Sequence, residues 1–123
     1  MSESYTEITA EINRGILKLR QAAPDAMAGF TALAKGALKD GALSELQKEL
    51  IALAIGVAGQ CDGCIGFHAK TLVRLGATRE QVMEALAVAV YMGGGPALMY
   101  AANAVHAYDE FAGVSAPASA IPA

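Results

Sequence analysis

The chain has only two cysteines, and both fall in one window, Cys61-Asp62-Gly63-Cys64. His68 follows Cys64 by one helical turn, and Glu49 stands twelve residues before Cys61. Two thiols three residues apart close a disulfide and reopen it, and a base within reach decides when they do. If Cys61 stands at a helix start, steps of three and seven residues return to within about 60° and 20° of its direction, so Cys61, Cys64 and His68 share a face. Backbone N–H groups at a helix N-terminus stabilise a thiolate, and they bring a cysteine pKa from about 8.5 into the range of about 3.5–7.5. His68, four residues past Cys64, is placed to take a proton from that thiol or to stabilise its anion. These residue types at this spacing point to thiol redox chemistry.

The elements that must position them read as all-helical, about six helices in number. Ile8, Ile12, Ile16 and Leu19 recur at helical spacing and stop before Pro24. Pro24-Asp25 opens a second helix, with Met27, Phe30, Leu33, Ala34, Ala37 and Leu38 on one side, and Asp40-Gly41 ends it. Ser44 with Gln47 forms a capping box for a third helix. After Glu49 that helix loses its polar face, since Ile51 to Gly59 is apolar all round, and the stretch is expected to be buried on all sides. Gly59-Gln60 reads as the break. A fourth helix starts near Cys61 and ends at Gly76, a good left-handed terminator. Thr78 with Gln81 caps a fifth helix to about Met92, and Pro96 opens a sixth that reaches about Phe111. Residues 1–112 are expected as a single domain and 113–123 as a flexible Ala/Pro/Ser tail.

This layout places Glu49. If the third and fourth helices fold back on each other at Gly59-Gln60, Glu49 lies about ten residues before the pivot and His68 about eight after it. At about 1.5 Å per residue the two are level to within a turn. A carboxylate there orients the imidazole, giving a relay from Glu49 through His68 to Cys64, with Cys61 as partner thiol. One continuous helix from Ser44 to Gly76 would break this geometry.

Composition bounds the rest. Of 123 residues, 54% are apolar and 17% charged, with a formal charge of −3. That balance carries no electrostatic footprint for nucleic acid and no basic cluster for anionic lipid. So few charges cannot cover the apolar surface of a lone small domain, so buried subunit interfaces of a homo-oligomer are expected. The segment from Ala85 to Val105 is free of charge, but Gly93-Gly94-Gly95-Pro96 interrupts it, so a packed helical corner is expected and not a membrane span. Those glycines lack the strand context of a phosphate loop. Met1 to Thr9 is polar and acidic, unlike a signal peptide, and two cycling cysteines suit a reducing cytoplasm. His106 has no local partner and reads as structural, and Asp62 reads as a helix-start residue. Ile65 stands where c-type haem attachment requires histidine. A zinc site using Cys61, Cys64 and His68, with Glu49 or a group from another subunit, is a rival reading, as is a non-catalytic redox-sensing oligomer.

The run Glu49-x11-Cys61-x2-Cys64-x3-His68, with the corner Tyr91-Met92-Gly93-Gly94-Gly95-Pro96 and its alanine-rich helix, resembles the alkylhydroperoxidase D-like branch of the carboxymuconolactone decarboxylase family. The resemblance covers about Asp25 to Phe111. It implies an all-helical bundle assembled as trimers or hexamers, and a peroxidase or disulfide-exchange activity that needs no cofactor and no metal. Carried over, it makes Cys64 the peroxide-attacking thiol that becomes a sulfenic acid. Cys61 becomes the proton donor and resolving thiol, and His68 and Glu49 the proton relay. The partners implied are a hydroperoxide or disulfide substrate and an external thiol reductant. The chain departs from the best-studied peroxidases at Gly63, where they carry a histidine, and in having room for one helical unit where they have two. The family's decarboxylases generally lack the cysteine pair, so lactone chemistry is not implied.

Overall fold

The computed structural model describes residues 3–114. Among them are six α-helices and no strand: α1 (Tyr5–Ala22), α2 (Pro24–Leu38), α3 (Glu45–Ala58), α4 (Asp62–Arg74), α5 (Arg79–Gly93) and α6 (Gly95–Ala112). Most of the tail expected over 113–123 lies outside the described residues.

The helix boundaries follow local chemistry. Ser44 and Gln47 exchange side-chain and backbone hydrogen bonds at the start of α3, and Thr78 and Gln81 do the same at α5. A third box, Ser4 with Glu7, caps α1. After α4, Gly76 takes a φ of 81°, which a side chain would oppose. At the α5–α6 corner Gly94 takes 75° and Pro96 follows in the first turn of α6.

Helices α3 to α6 form the core. Leu53 and Val57 of α3, Ile65 and Leu72 of α4, and Val82 of α5 are fully buried. They meet a stripe of small residues on α6, namely Ala97, Ala101, Ala104 and Ala107, whose short side chains let neighbouring backbones come close. Tyr108 closes the α4–α5 connection by donating its hydroxyl to the Ala77 carbonyl at 2.9 Å. Helix α1 packs across α4 and α6, and α2 packs on α1 and the start of α3. No described helix is long and apolar enough to cross a membrane.

One expectation is overturned. The apolar end of α3 is not buried on all sides, because Ile51 is 48% and Ile55 67% exposed. The reason is geometric: the neighbouring helices pack on the side of α3 that carries Leu53 and Val57, and among the described residues nothing covers Ile51 and Ile55. Helix α2 shows the same imbalance. It buries no residue, and Phe30 and Leu33 stand about two-thirds exposed at 68% and 66%.

Candidate active site

The chain reverses direction between α3 and α4 in three residues. The Gly59 N–H donates to the Ile55 carbonyl, and the Gln60 N–H to that of Val57. Gln60 has a φ of 57°, a conformation that costs a side-chain-bearing residue about 1–2 kcal/mol. The Cys61 N–H then reaches back to the Gly56 carbonyl at 2.9 Å. The two helices are thus a hairpin pivoting at Gly59-Gln60.

Cys61 is the N-cap of α4, where its sulfur accepts the Cys64 N–H at 3.2 Å. Cys61 and Cys64 are joined as a disulfide with their Cα atoms 5.3 Å apart. This pair lies against α3 at a place with no spare room: a Cβ on Gly56 would fall 2.9 Å from the Cys64 Cβ.

Glu49 and His68 meet across the hairpin, with His68 Nδ1 2.6 Å from Glu49 Oε1. Glu49 is buried, with 3% of its surface exposed, and the His68 side chain retains 28%. A buried carboxylate is costly unless paired, and the imidazole is its partner. With Nδ1 donating to that carboxylate, Nε2 is the nitrogen left to exchange protons. In this disulfide state no hydrogen bond joins His68 to either sulfur. Among the described residues no three His, Cys, Asp or Glu side chains converge as a metal-holding group.

Other contacts at the site have no signature in local spacing. Tyr5 lies 57 residues from Asp62, yet its hydroxyl donates to Asp62 Oδ1 at 2.9 Å. Ile12 occupies the space beside Gly63, where a Cβ would lie 2.7 Å from the Ile12 Cδ1. A side chain at position 63 would therefore require the Ile12 side chain to shift. His106 is exposed and shares a pocket with Tyr5 and Asp62.

The sequence profile of the carboxymuconolactone decarboxylase family matches residues 24–107. The chain belongs to that family. A crystal structure of an apo-form family member from Legionella pneumophila superposes with a TM-score of 0.87 at 56% identity, covering 88% of this chain and 96% of that one. An uncharacterized protein of Cupriavidus necator is 48% identical over 99 residues, 80% of this chain and 88% of its own. A 46-residue stretch is 44% identical to the alkyl hydroperoxide reductase AhpD of Mycobacteroides abscessus, spanning 37% of this chain and 26% of that enzyme. Family membership and the superposition agree with the helical order of α2 to α6.

Proposed function

We propose that this family member is a thiol-dependent oxidoreductase that reduces organic hydroperoxides or exchanges disulfides. The observation that carries the reading is the Cys61–Cys64 disulfide at the start of α4, one turn from an imidazole hydrogen-bonded to a buried carboxylate. The local match to AhpD supports the peroxide branch.

In the proposed cycle the Cys64 thiolate attacks one peroxide oxygen and the O–O bond breaks. The departing alkoxide takes a proton from the Cys61 thiol and leaves as an alcohol, with Cys64 as sulfenic acid. The Cys61 thiolate then attacks the Cys64 sulfur. Hydroxide departs as water, receiving a proton through His68, whose Nδ1 stays anchored on Glu49. An external dithiol returns two electrons and two protons to the disulfide. A reducing cytoplasm is the compartment in which such a pair is reopened.

The active form is proposed to be a homo-oligomer, a trimer or hexamer. The exposure of Phe30, Leu33 and Ile55 supports this, since large apolar side chains left uncovered within one chain are candidates for burial between subunits.

Mass spectrometry after substoichiometric organic hydroperoxide tests the cycle. Cys61→Ser is expected to trap a sulfenic acid on Cys64. Trapping on Cys61 alone, in Cys64→Ser, would reverse the two roles. No oxidation of either thiol would end the peroxidase reading.

A further inference from the structure

The first turns of α1 lie across the turn of α4 that carries both cysteines. On the α6 side they are tied to Glu110, whose carboxylate accepts the Tyr5 N–H at 3.0 Å, the Thr6 N–H at 2.8 Å and the Thr6 hydroxyl at 2.6 Å. The Thr9 hydroxyl donates to the Tyr5 carbonyl at 2.8 Å. On the α4 side the fit is close. A Cβ on Gly66 would lie 2.6 Å from the Thr9 Cγ2 and 3.2 Å from the Tyr5 Cδ1. The Tyr5 ring is thereby fixed, with 7% of the residue exposed.

What that ring presents is a hydroxyl, and it is spent on Asp62. Asp62 is the first residue of α4 and stands between the two cysteines. Its carboxylate makes no other protein hydrogen bond among the described residues. Glu3, Asn103, His106 and Glu110 line the same pocket of about 530 Å³, and none of them bonds to it. Burial, and then the hydrogen bond to Asp62, push the Tyr5 phenol well above its ordinary range. The hydroxyl is therefore a standing donor.

We infer that Tyr5 is a positioning residue for the Cys61–Cys64 pair: it fixes the Asp62 carboxylate and disperses part of its charge, which sets how readily the disulfide is reduced. The inference rests on the redox reading of the pair. Reduction adds two electrons to the S–S bond and leaves sulfurs that hold a proton or a negative charge. The N-terminal N–H groups of α4 favour the thiolate, and a carboxylate in the same turn opposes it. With the phenol in place, the Asp62 charge is spread and held on the α1 side. Without it, the full charge is free to turn toward the sulfurs, and reduction becomes harder.

The test equilibrates the full-length protein with mixtures of reduced and oxidised glutathione at pH 7. Alkylation and intact-mass analysis read the oxidised fraction. Tyr5→Phe keeps the ring and is expected to shift the equilibrium about three- to tenfold toward the disulfide, about 15–30 mV more negative for a two-electron couple. Asp62→Asn is expected to shift it the other way. The double variant should match Asp62→Asn alone, because Tyr5 acts through that carboxylate. A Tyr5→Phe protein that melts earlier with an unmoved equilibrium overturns the inference, as does an equal Tyr5→Phe shift in both backgrounds. Asp62→Asn leaves the buried ring intact, so an unmoved equilibrium in that variant is equally decisive. A wild-type pair that never equilibrates with glutathione ends the redox reading and this inference with it. A wild type that equilibrates normally, beside an unmoved Tyr5→Phe, ends the inference alone.

Discussion

Gly56→Ala sets two effects of opposite sign against each other at the site. Gly56 is in the last turn of α3, where alanine gains at most about 1 kcal/mol in helix propensity. The new methyl would lie 2.9 Å from the Cys64 Cβ, however, and carbon contacts settle at about 3.5–4.0 Å. Cys64 cannot swing away, because its Cβ is bonded to the backbone of α4. The helices must separate by about 0.6–1 Å, and overpacking of this kind costs about 1–3 kcal/mol. Crowding wins, with a net destabilisation of about 1 kcal/mol.

The same displacement moves Cys64 and His68 away from Glu49, and a shift of about 1 Å in reacting groups costs up to about a hundredfold in rate. Urea denaturation at fixed protomer concentration reads the first effect, and stopped-flow thiol oxidation by an organic hydroperoxide reads the second. Gly15→Ala is the control: nothing lies within 4 Å of its Cβ position, so it should stabilise by about 0.5–1 kcal/mol and leave the rate alone. A Gly56→Ala protein as stable as Gly15→Ala, with wild-type oxidation rate, would refute the reasoning.

Glu49→Gln keeps the shape but removes the buried charge that faces His68 Nδ1; turnover should fall by about a hundredfold while circular dichroism remains helical. Ile55→Asp puts a charge on the uncovered side of α3, and sedimentation velocity should show a smaller assembly that is still folded. Partial burial acts to raise the Glu110 carboxyl, but the Thr6 hydroxyl and the Thr6 and Tyr5 N–H groups outweigh it and hold it below its ordinary value of 4.5. A lowered folded-state pKa contributes stability above that ordinary value and loses it as pH falls through the folded one. The stability gap between wild type and Glu110→Gln should therefore be widest near neutral pH and close on acidification below about pH 4, as followed by thermal melts.

Features set by near neighbours were legible in the sequence. The Ser44/Gln47 and Thr78/Gln81 boxes and the positive φ at Gly76 depend on a few consecutive residues, and they mark the helix ends. The meeting of Glu49 with His68 was legible too, because a tight hairpin turns sequence distance into height along two helices. Burial was not. Apolarity on α2 and at Ile51 and Ile55 states that a surface is to be covered, without saying by what, and this chain covers neither. The Tyr5–Asp62 contact was equally hidden, since it joins two helices whose crossing depends on side-chain volumes elsewhere.

Those volumes explain Gly63. Helix α4 is seated between α3, which presses on Cys64 from Gly56, and α1, which presses on Gly63 and Gly66 through Ile12, Thr9 and Tyr5. Each crossing has a glycine where a Cβ would meet a neighbouring side chain, so the redox turn is packed closely on two sides. At Gly63 the space next to the cysteine turn is taken by the Ile12 side chain of α1. This chain fills that space with α1, and α1 brings Tyr5 to Asp62. A polar group next to the cysteines is thus supplied from a separate helix, through the Tyr5 hydroxyl on Asp62. The reduction equilibrium of the Tyr5→Phe and Asp62→Asn proteins measures what that contact does to the thiols.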